Sequence, residues 1–344
     1  MASLAALLVT VVLTGLLRNW ALRLGLVDRP DGRKRHTRPT PHLGGVAVAA
    51  GTVTVTLVAW QASAPPTPGL GTLMLAAGAV AILGLVDDLR PMGPKSRLVV
   101  EVAAATTVAH SAGLGLLGGA LAVLWIVFVT NAFNLLDNSD GAMGTVAAVT
   151  ALGLCVCAAA RGMHGLALVL CSLTAALSGF LVHNWHPARI FLGDCGSLFT
   201  GFVLSSATVL VHAGHAPLTA AGSVFALSAV VVADTALVAI SRRRAGRSFL
   251  TGGTDHIAHR LRRLGLTTPG AATVLGAAAG VCATVGLLVH GRAVAPSAAL
   301  WLAAGVLAAV LGLLRVPIYA IGQGTRTRAD RRSASRTTAD LARG

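Results

Sequence analysis

The feature that most constrains this chain is a succession of eleven apolar runs, each roughly 17 to 25 residues long, the length a helix needs to cross the hydrocarbon core of a bilayer. They lie near 3–22, 43–60, 69–86, 98–116, 118–136, 143–160, 164–182, 191–211, 217–240, 271–289 and 296–314. Backbone polar groups in lipid must be hydrogen-bonded within the chain, so this pattern predicts an all-α polytopic membrane protein with about eleven transmembrane helices. With 55% hydrophobic and 11% charged residues and a mean hydropathy of +0.76, there is too little polar surface to enclose a soluble core. The first run lacks the short apolar segment and small-residue cleavage site of a signal peptide, so it is expected to remain as a helix. The chain divides into a membrane domain over 1–318 and a basic tail over 319–344, rich in Arg, Thr and Ser, which is expected to be disordered.

The net charge of +15 would suit nucleic acid, but the placement of the basic residues argues for topology instead, and no nucleic-acid partner is expected. Of the 27 Lys and Arg residues, 25 fall in odd-numbered connections and the C-terminal tail, and only Arg161 and Arg292 in even-numbered ones. The positive-inside rule then puts the N-terminus outside and the C-terminus in the cytoplasm. The acidic residues sort likewise: Asp87, Asp88, Asp137, Asp140, Asp194 and Asp255 stand at or near run ends on the same predicted face. Separate helices therefore bring carboxylates to one membrane face. A secondary transporter with Asp234 and Glu101 as proton sites is the alternative from another class, but it calls for internal repeats and broken helices at the midplane. A polybasic scaffold without chemistry leaves the gathered carboxylates unexplained. Cys155, Cys157, Cys171, Cys195 and Cys282 lie mostly within apolar runs, without ligand spacing, and read as small hydrophobes.

Several polar segments carry the chemistry. In the stretch from Asn131 to Gly144, Asn131, Asn134 and Asp137 share one helical face, which suits a hydrated cation or a phosphate ester better than lipid. Gly193-Asp194-Cys195-Gly196-Ser197 opens the eighth run; its glycines admit a ligand to the backbone, and Asp194 either takes a hard cation or merely caps the helix. Asp87 and Asp88 repel one another and call for a cation or an arginine, with an Asp88–Arg90 interfacial cap as the plain alternative. Glu101 either snorkels or meets Lys95 or Arg97. Asp234, about two turns inside the ninth run, either pairs with Arg242 to Arg244 or supports a site. The first basic loop, with Lys34, Arg35, His36 and Arg38, has two open destinations: anionic headgroups, or the phosphates of a nucleotide. In Asp255-His256-Ile257-Ala258-His259-Arg260, a helical turn puts His256, His259 and Arg260 on neighbouring faces as donors to phosphate oxygens, while zinc would need further ligands that are not nearby.

Five of these segments, His36 to Gly45, Asp87-Asp88, Asn131 to Gly141, Phe191 to Ser197 and Asp255 to Arg260, resemble in order those of the polyprenyl-phosphate N-acetylhexosamine-1-phosphate transferases, the glycosyltransferase family 4 membrane enzymes. The likeness covers nearly the whole chain and implies transfer of HexNAc-1-phosphate, GlcNAc-1-phosphate foremost, from a UDP-sugar to polyprenyl phosphate. UMP is released, and cell-envelope glycan assembly begins at the cytoplasmic face of a bacterial plasma membrane. It implies Mg²⁺ or Mn²⁺, with Asp194 and Asp137 as metal ligands, Asp87, Asp88 and Asp194 as catalytic residues, and a homodimer as a further expectation. Asn134, Asp137, Asp140, Phe191, His256, His259 and Arg260 would hold the nucleotide-sugar, joined by Lys34 and His36 if the basic loop reaches it. The histidine segment looks more like the GlcNAc-1-phosphate branch than the phospho-MurNAc-pentapeptide transferase branch, which is the alternative activity. Asn138 stands where the family often has Gly, and is expected to keep the turn because Asn tolerates left-handed backbone. The aspartate pair is followed by Leu89-Arg90-Pro91-Met92, without a further acidic residue there.

Overall fold

A computed structural model describes residues 1–28, 39–63, 69–248 and 253–318. Each expected apolar run forms a helix: α1 (Ala2–Leu24), α2 (Gly44–Ser63), α3 (Leu70–Leu89), α4 (Pro94–Ser111), α5 (Leu116–Leu136), α6 (Ala142–Ala160), α7 (His164–Asn184), α8 (Gly193–His212), α9 (Pro217–Arg244), α11 (Thr268–His290) and α12 (Ala298–Leu314). Between α9 and α11 the chain adds a seven-residue helix, α10 (Ile257–Arg263). Two-residue strands β1 (Val27–Asp28) and β2 (Thr40–Pro41) pair antiparallel below α1 and α2. Among the described residues, nine helices are long and apolar enough to cross a membrane. The eleven expected spans fall short of that measure at two helices: α12 has only 17 residues, and α4 carries Lys95, Arg97 and Glu101 within 18. The molecule is an all-α polytopic membrane protein.

Two boundaries differ from the expected ones in a way that matters. The fourth run begins at Pro94 rather than near 98, because Pro at the first helical position needs no N–H partner and presets the helical φ. This moves Arg97 from a loop into a helix. The ninth helix runs on to Arg244 rather than ending near 240, which makes Arg242 helical too.

α8 is the axis of the bundle, with 89% of its apolar window buried, whereas α1, at 17%, lies on the periphery. On α1 the exposed Leu4, Leu8, Val12 and Leu16 form an i, i+4 stripe toward lipid, opposite buried Ala6, Thr10 and Thr14. α3, α5 and α2 pack directly on α8, and Phe133, Phe180, Phe199 and Phe202 fill the space around it. In lipid no hydrophobic force draws helices together, so close approach depends on small residues. At the crossing of α2 and α8, a Cβ on Gly45 would lie 2.1 Å from the Gly196 backbone nitrogen, and one on Gly196 would lie 2.5 Å from the Gly45 Cα. Two glycine backbones thus touch at the point where the GDCGS segment enters the bundle.

Candidate active site

The start of α8 is held by its neighbours. Leu192 at its N-cap supplies no side-chain acceptor, and the orphan N–H groups of the first turn are met from another helix. The Asp194 and Cys195 N–H groups donate to Asp88 Oδ1 and Oδ2 at 2.8 and 2.9 Å. A carboxylate at a helix N-terminus is favoured by both hydrogen bonding and the helix dipole. Asp88, at the end of α3, therefore caps α8 in trans. Gly193 makes this possible: its φ is +74°, and a Cβ there would sit 2.3 Å from His42 O and 2.7 Å from Asp88 Oδ2. The loop before α2 closes the other side. Gly44 N–H and Gly45 N–H donate to Phe191 O and Leu192 O, Phe191 N–H donates to Pro41 O, and His42 Nε2 bonds Asp88 O at 3.2 Å.

With its backbone fixed in this way, Asp194 turns its side chain away from its own cap. Its Oδ1 accepts from Asn134 Nδ2 at 2.8 Å, and its Oδ2 accepts from Arg97 Nη1 at 2.8 Å. The same Nη1 donates to Asp87 Oδ2 at 2.7 Å, and Arg97 Nη2 reaches Asn134 Oδ1 at 3.5 Å. Asp87 also accepts from Met92 N–H, and Asn134 Nδ2 donates to Ser197 Oγ. Asp137 terminates α5 beside this group and accepts no hydrogen bond among the described residues. Burial first, then the charges of Asp194, Asp88 and Asp140, push its carboxyl up to about 7. One guanidinium thus faces more carboxylate charge than it balances.

The donor set is all oxygen from carboxylates and a carboxamide, the chemistry of a hard divalent cation. Arg97 stands in for the positive charge such an ion would bring. The residues fit Mg²⁺ or Mn²⁺ in kind. Among the described residues, no three carboxylate, imidazole or thiol groups form a finished metal site as they stand.

A second polar group lies between α9 and α10. Asp234, fully buried, accepts from His256 Nδ1 at 2.8 Å and from Ile257 N–H at 2.7 Å, capping α10 as Asp88 caps α8. Its partner is His256 and not the expected Arg242 to Arg244. Arg242 instead forks onto buried Asp255, with Nε and Nη2 at 3.0 and 3.1 Å. Arg260 is 2% exposed; it donates to Leu313 O at 2.9 Å, Val316 O at 2.7 Å, Ser241 Oγ at 2.7 Å and Asp255 O at 3.2 Å. The bonds to Leu313 and Val316 satisfy carbonyls at the end of α12. The expected phosphate donor is here a clamp on the last helix, while His256 and His259 stay buried beside it. Arg260→Lys, which keeps the charge but loses the planar fork, is expected to cost about 2–4 kcal/mol of stability. Thermal unfolding in detergent would register this, with α12 becoming the first site of limited proteolysis.

A model of glycosyl transferase family 4 matches residues 70–212, which is α3 to α8 with every member of the central group. A provisionally named glycosyltransferase of Streptomyces coelicolor is 49% identical over 96% of this chain and 80% of its own length. The decaprenyl-phosphate N-acetylglucosaminephosphotransferase of Mycolicibacterium smegmatis is 32% identical over 77% of this chain and 75% of its own. The chain belongs to glycosyl transferase family 4. The phospho-N-acetylmuramoyl-pentapeptide-transferase of Geobacillus kaustophilus is also similar, at 30% over 61% of the chain and 74% of its own length.

Within this family 4 chain, Asp87, Asp88, Asn134, Asp137 and Asp194 come together at one end of the bundle. Lys34 and His36 lie outside the described residues. Asp140 stands one step out: its Oδ2 pairs with His186 Nδ1 at 2.7 Å and accepts from Ala188 N–H at 3.1 Å, anchoring the connector between α7 and α8. Phe191 is half-buried, next to the cap of α8. Beyond His186 opens a cavity of about 590 Å³, also lined by Arg262, Arg263 and Thr267.

Three local readings are corrected. Glu101 is buried and pairs with Asn131, which also donates to Val127 O, so neither Lys95 nor Arg97 meets it and Asn131 does not join the centre. Asn138 does not take a left-handed conformation; the left-handed residue of that turn is Gly141, φ +71°, while Asn138 Nδ2 closes α5 by donating to Leu135 O and Leu136 O. Asp194 does not cap its own helix, since Asp88 does. The residue missed was Arg97, along with Asn184, which accepts from Gly141 N–H and donates to Ile190 O. The signals for Arg97 were the aspartate pair, which called for a cation or an arginine, and Pro94, which starts the helix early enough to aim it inward.

Proposed function

We propose that this family 4 protein transfers HexNAc-1-phosphate, GlcNAc-1-phosphate foremost, from a UDP-sugar to polyprenyl phosphate, releasing UMP. The observation that carries the reading is the grouping of Asp87, Arg97, Asn134, Asp137 and Asp194 at the ends of α3, α4, α5 and α8. It is supported by the similarity to the mycobacterial decaprenyl-phosphate N-acetylglucosaminephosphotransferase. The basic residues' one-sided distribution supports a site on the cytoplasmic face of a bacterial plasma membrane, with the N-terminus outside.

The chemistry joins two anions, so the protein's task is to bring them together and balance their charge. An oxygen of the lipid phosphate attacks the sugar-bearing phosphorus, and the bond to UMP breaks. A phosphate monoester has a second pKa of about 6 and is already largely dianionic at cytoplasmic pH, so no strong base is required. Direct attack is therefore favoured over a covalent aspartyl intermediate. Asp194 and Asp137 would hold Mg²⁺ or Mn²⁺, which when bound supplies Lewis-acid neutralisation of the diphosphate. Asn134 orients Asp194 through Nδ2. Asp88 is committed to the α8 cap, which leaves Asp87 as the member of the pair facing the reacting groups. Arg97 supplies a positive charge beside Asp87 and Asp194.

The test is UMP release by purified protein given polyprenyl phosphate, Mg²⁺ and a panel of UDP-sugars. UDP-GlcNAc is expected to be the best donor. UMP from UDP-MurNAc-pentapeptide alone would move the protein to the other branch, and no UMP from any donor with folded protein would sink the transferase reading.

A further inference from the structure

Arg97 occupies an unusual position for a helix N-terminal arginine. Such side chains normally avoid the positive end of a helix dipole and reach for water. Here the guanidinium, with a side-chain exposure of 18%, inserts between carboxylates of two other helices, donating from one nitrogen to Asp87 at 2.7 Å and to Asp194 at 2.8 Å. Both acceptors, and Asn134 beside them, are hard oxygen donors that a divalent ion would also select. Asp137, alongside, has no hydrogen-bonding partner among the described residues, and a single guanidinium stands against the three carboxylates.

We propose that Arg97 is a displaceable counter-ion: it competes with a divalent cation for Asp194, and once displaced it turns its guanidinium to phosphate oxygens. The competition follows from the geometry alone, and the turn toward phosphate rests on the transferase reading. Arg97 takes Asp194 Oδ2 and Asn134 takes Oδ1, so a divalent ion reaches this carboxylate by displacing one of them. The planar fork suits either duty, since it binds carboxylate and phosphate alike. A residue that merely braced the two aspartates would instead help them bind a metal, and its removal would weaken that binding.

The two possibilities differ in sign. Mn²⁺ binding is titrated by electron paramagnetic resonance on wild type, R97Q and R97K in detergent, without nucleotide or lipid, with thermal unfolding recorded on each. Removing a cation at ion-pair distance is expected to tighten Mn²⁺ binding in R97Q by about tenfold, whereas R97K stays within about twofold of wild type. In R97A, millimolar methylguanidinium is expected to weaken Mn²⁺ binding back toward the wild-type value. Mn²⁺ binding that is equal or weaker in R97Q, or undetectable in both proteins, would overturn the proposal. If R97Q fails to unfold cooperatively, the methylguanidinium competition in R97A decides, and no competition overturns it equally. UMP release on the same wild-type preparation reports separately on the transferase reading, so either idea can fail without the other.

Discussion

Asp194→Asn is expected to lower UMP release by about a thousandfold while leaving the protein inserted and folded. The expectation rests on how Asp194 is held. Its backbone N–H, not its side chain, takes part in capping α8, through the 2.8 Å bond to Asp88. Asn keeps that N–H and nearly the same volume. What it loses is the carboxylate that faces Arg97 and Asn134. Arg97 retains Asp87 at 2.7 Å, so no buried charge is stranded and thermal stability should barely move. Activity and unfolding temperature measured on one preparation separate the two effects. Turnover near the wild-type level would remove Asp194 from the reacting centre.

Gly45→Ala should act in the opposite way, through the fold. An added Cβ would meet the Gly196 nitrogen at 2.1 Å and its Cα at 2.3 Å, both backbone atoms that cannot rotate aside. Overpacking a close helix contact costs about 1–3 kcal/mol, and here relief requires moving α2 off α8, so about 3 kcal/mol or more is expected. That movement would also strain the bonds from Gly44 and Gly45 to Phe191 and Leu192, which hold the start of α8. Activity should fall along with stability. Gly78→Ala on α3 is the control: nothing lies within 4 Å of its added Cβ, and Ala favours the helix by up to about 1 kcal/mol. An unfolding temperature for Gly45→Ala equal to that of Gly78→Ala would refute the close contact.

The sequence by itself determined a good deal here. Helix positions were legible because lipid permits so few solutions: a run of about 20 apolar residues in a bilayer has to satisfy its own backbone. The convergence of Asp87, Asn134, Asp137 and Asp194 was legible for a related reason, since alternate crossings return every second helix end to the same face. Neither inference needs knowledge of which helix touches which.

What only the tertiary structure decided is how each polar group spends its hydrogen bonds. Asp87 and Asp88 are chemically identical neighbours, yet successive residues on a helix point about 100° apart, so one meets Arg97 and the other caps α8. Glu101 found Asn131 and Asp234 found His256, because a buried carboxylate takes whichever donor the packing brings within reach. Arg260 reads as a phosphate ligand in sequence and is a buried clamp on α12 in space, where the two carbonyls it holds lie more than fifty residues away. Spacing along the chain sets which face a residue occupies. Only the packed neighbours set whether its charge is left over for a ligand or already spent on the fold, and at the central group the balance is one arginine, Arg97, set against several carboxylates.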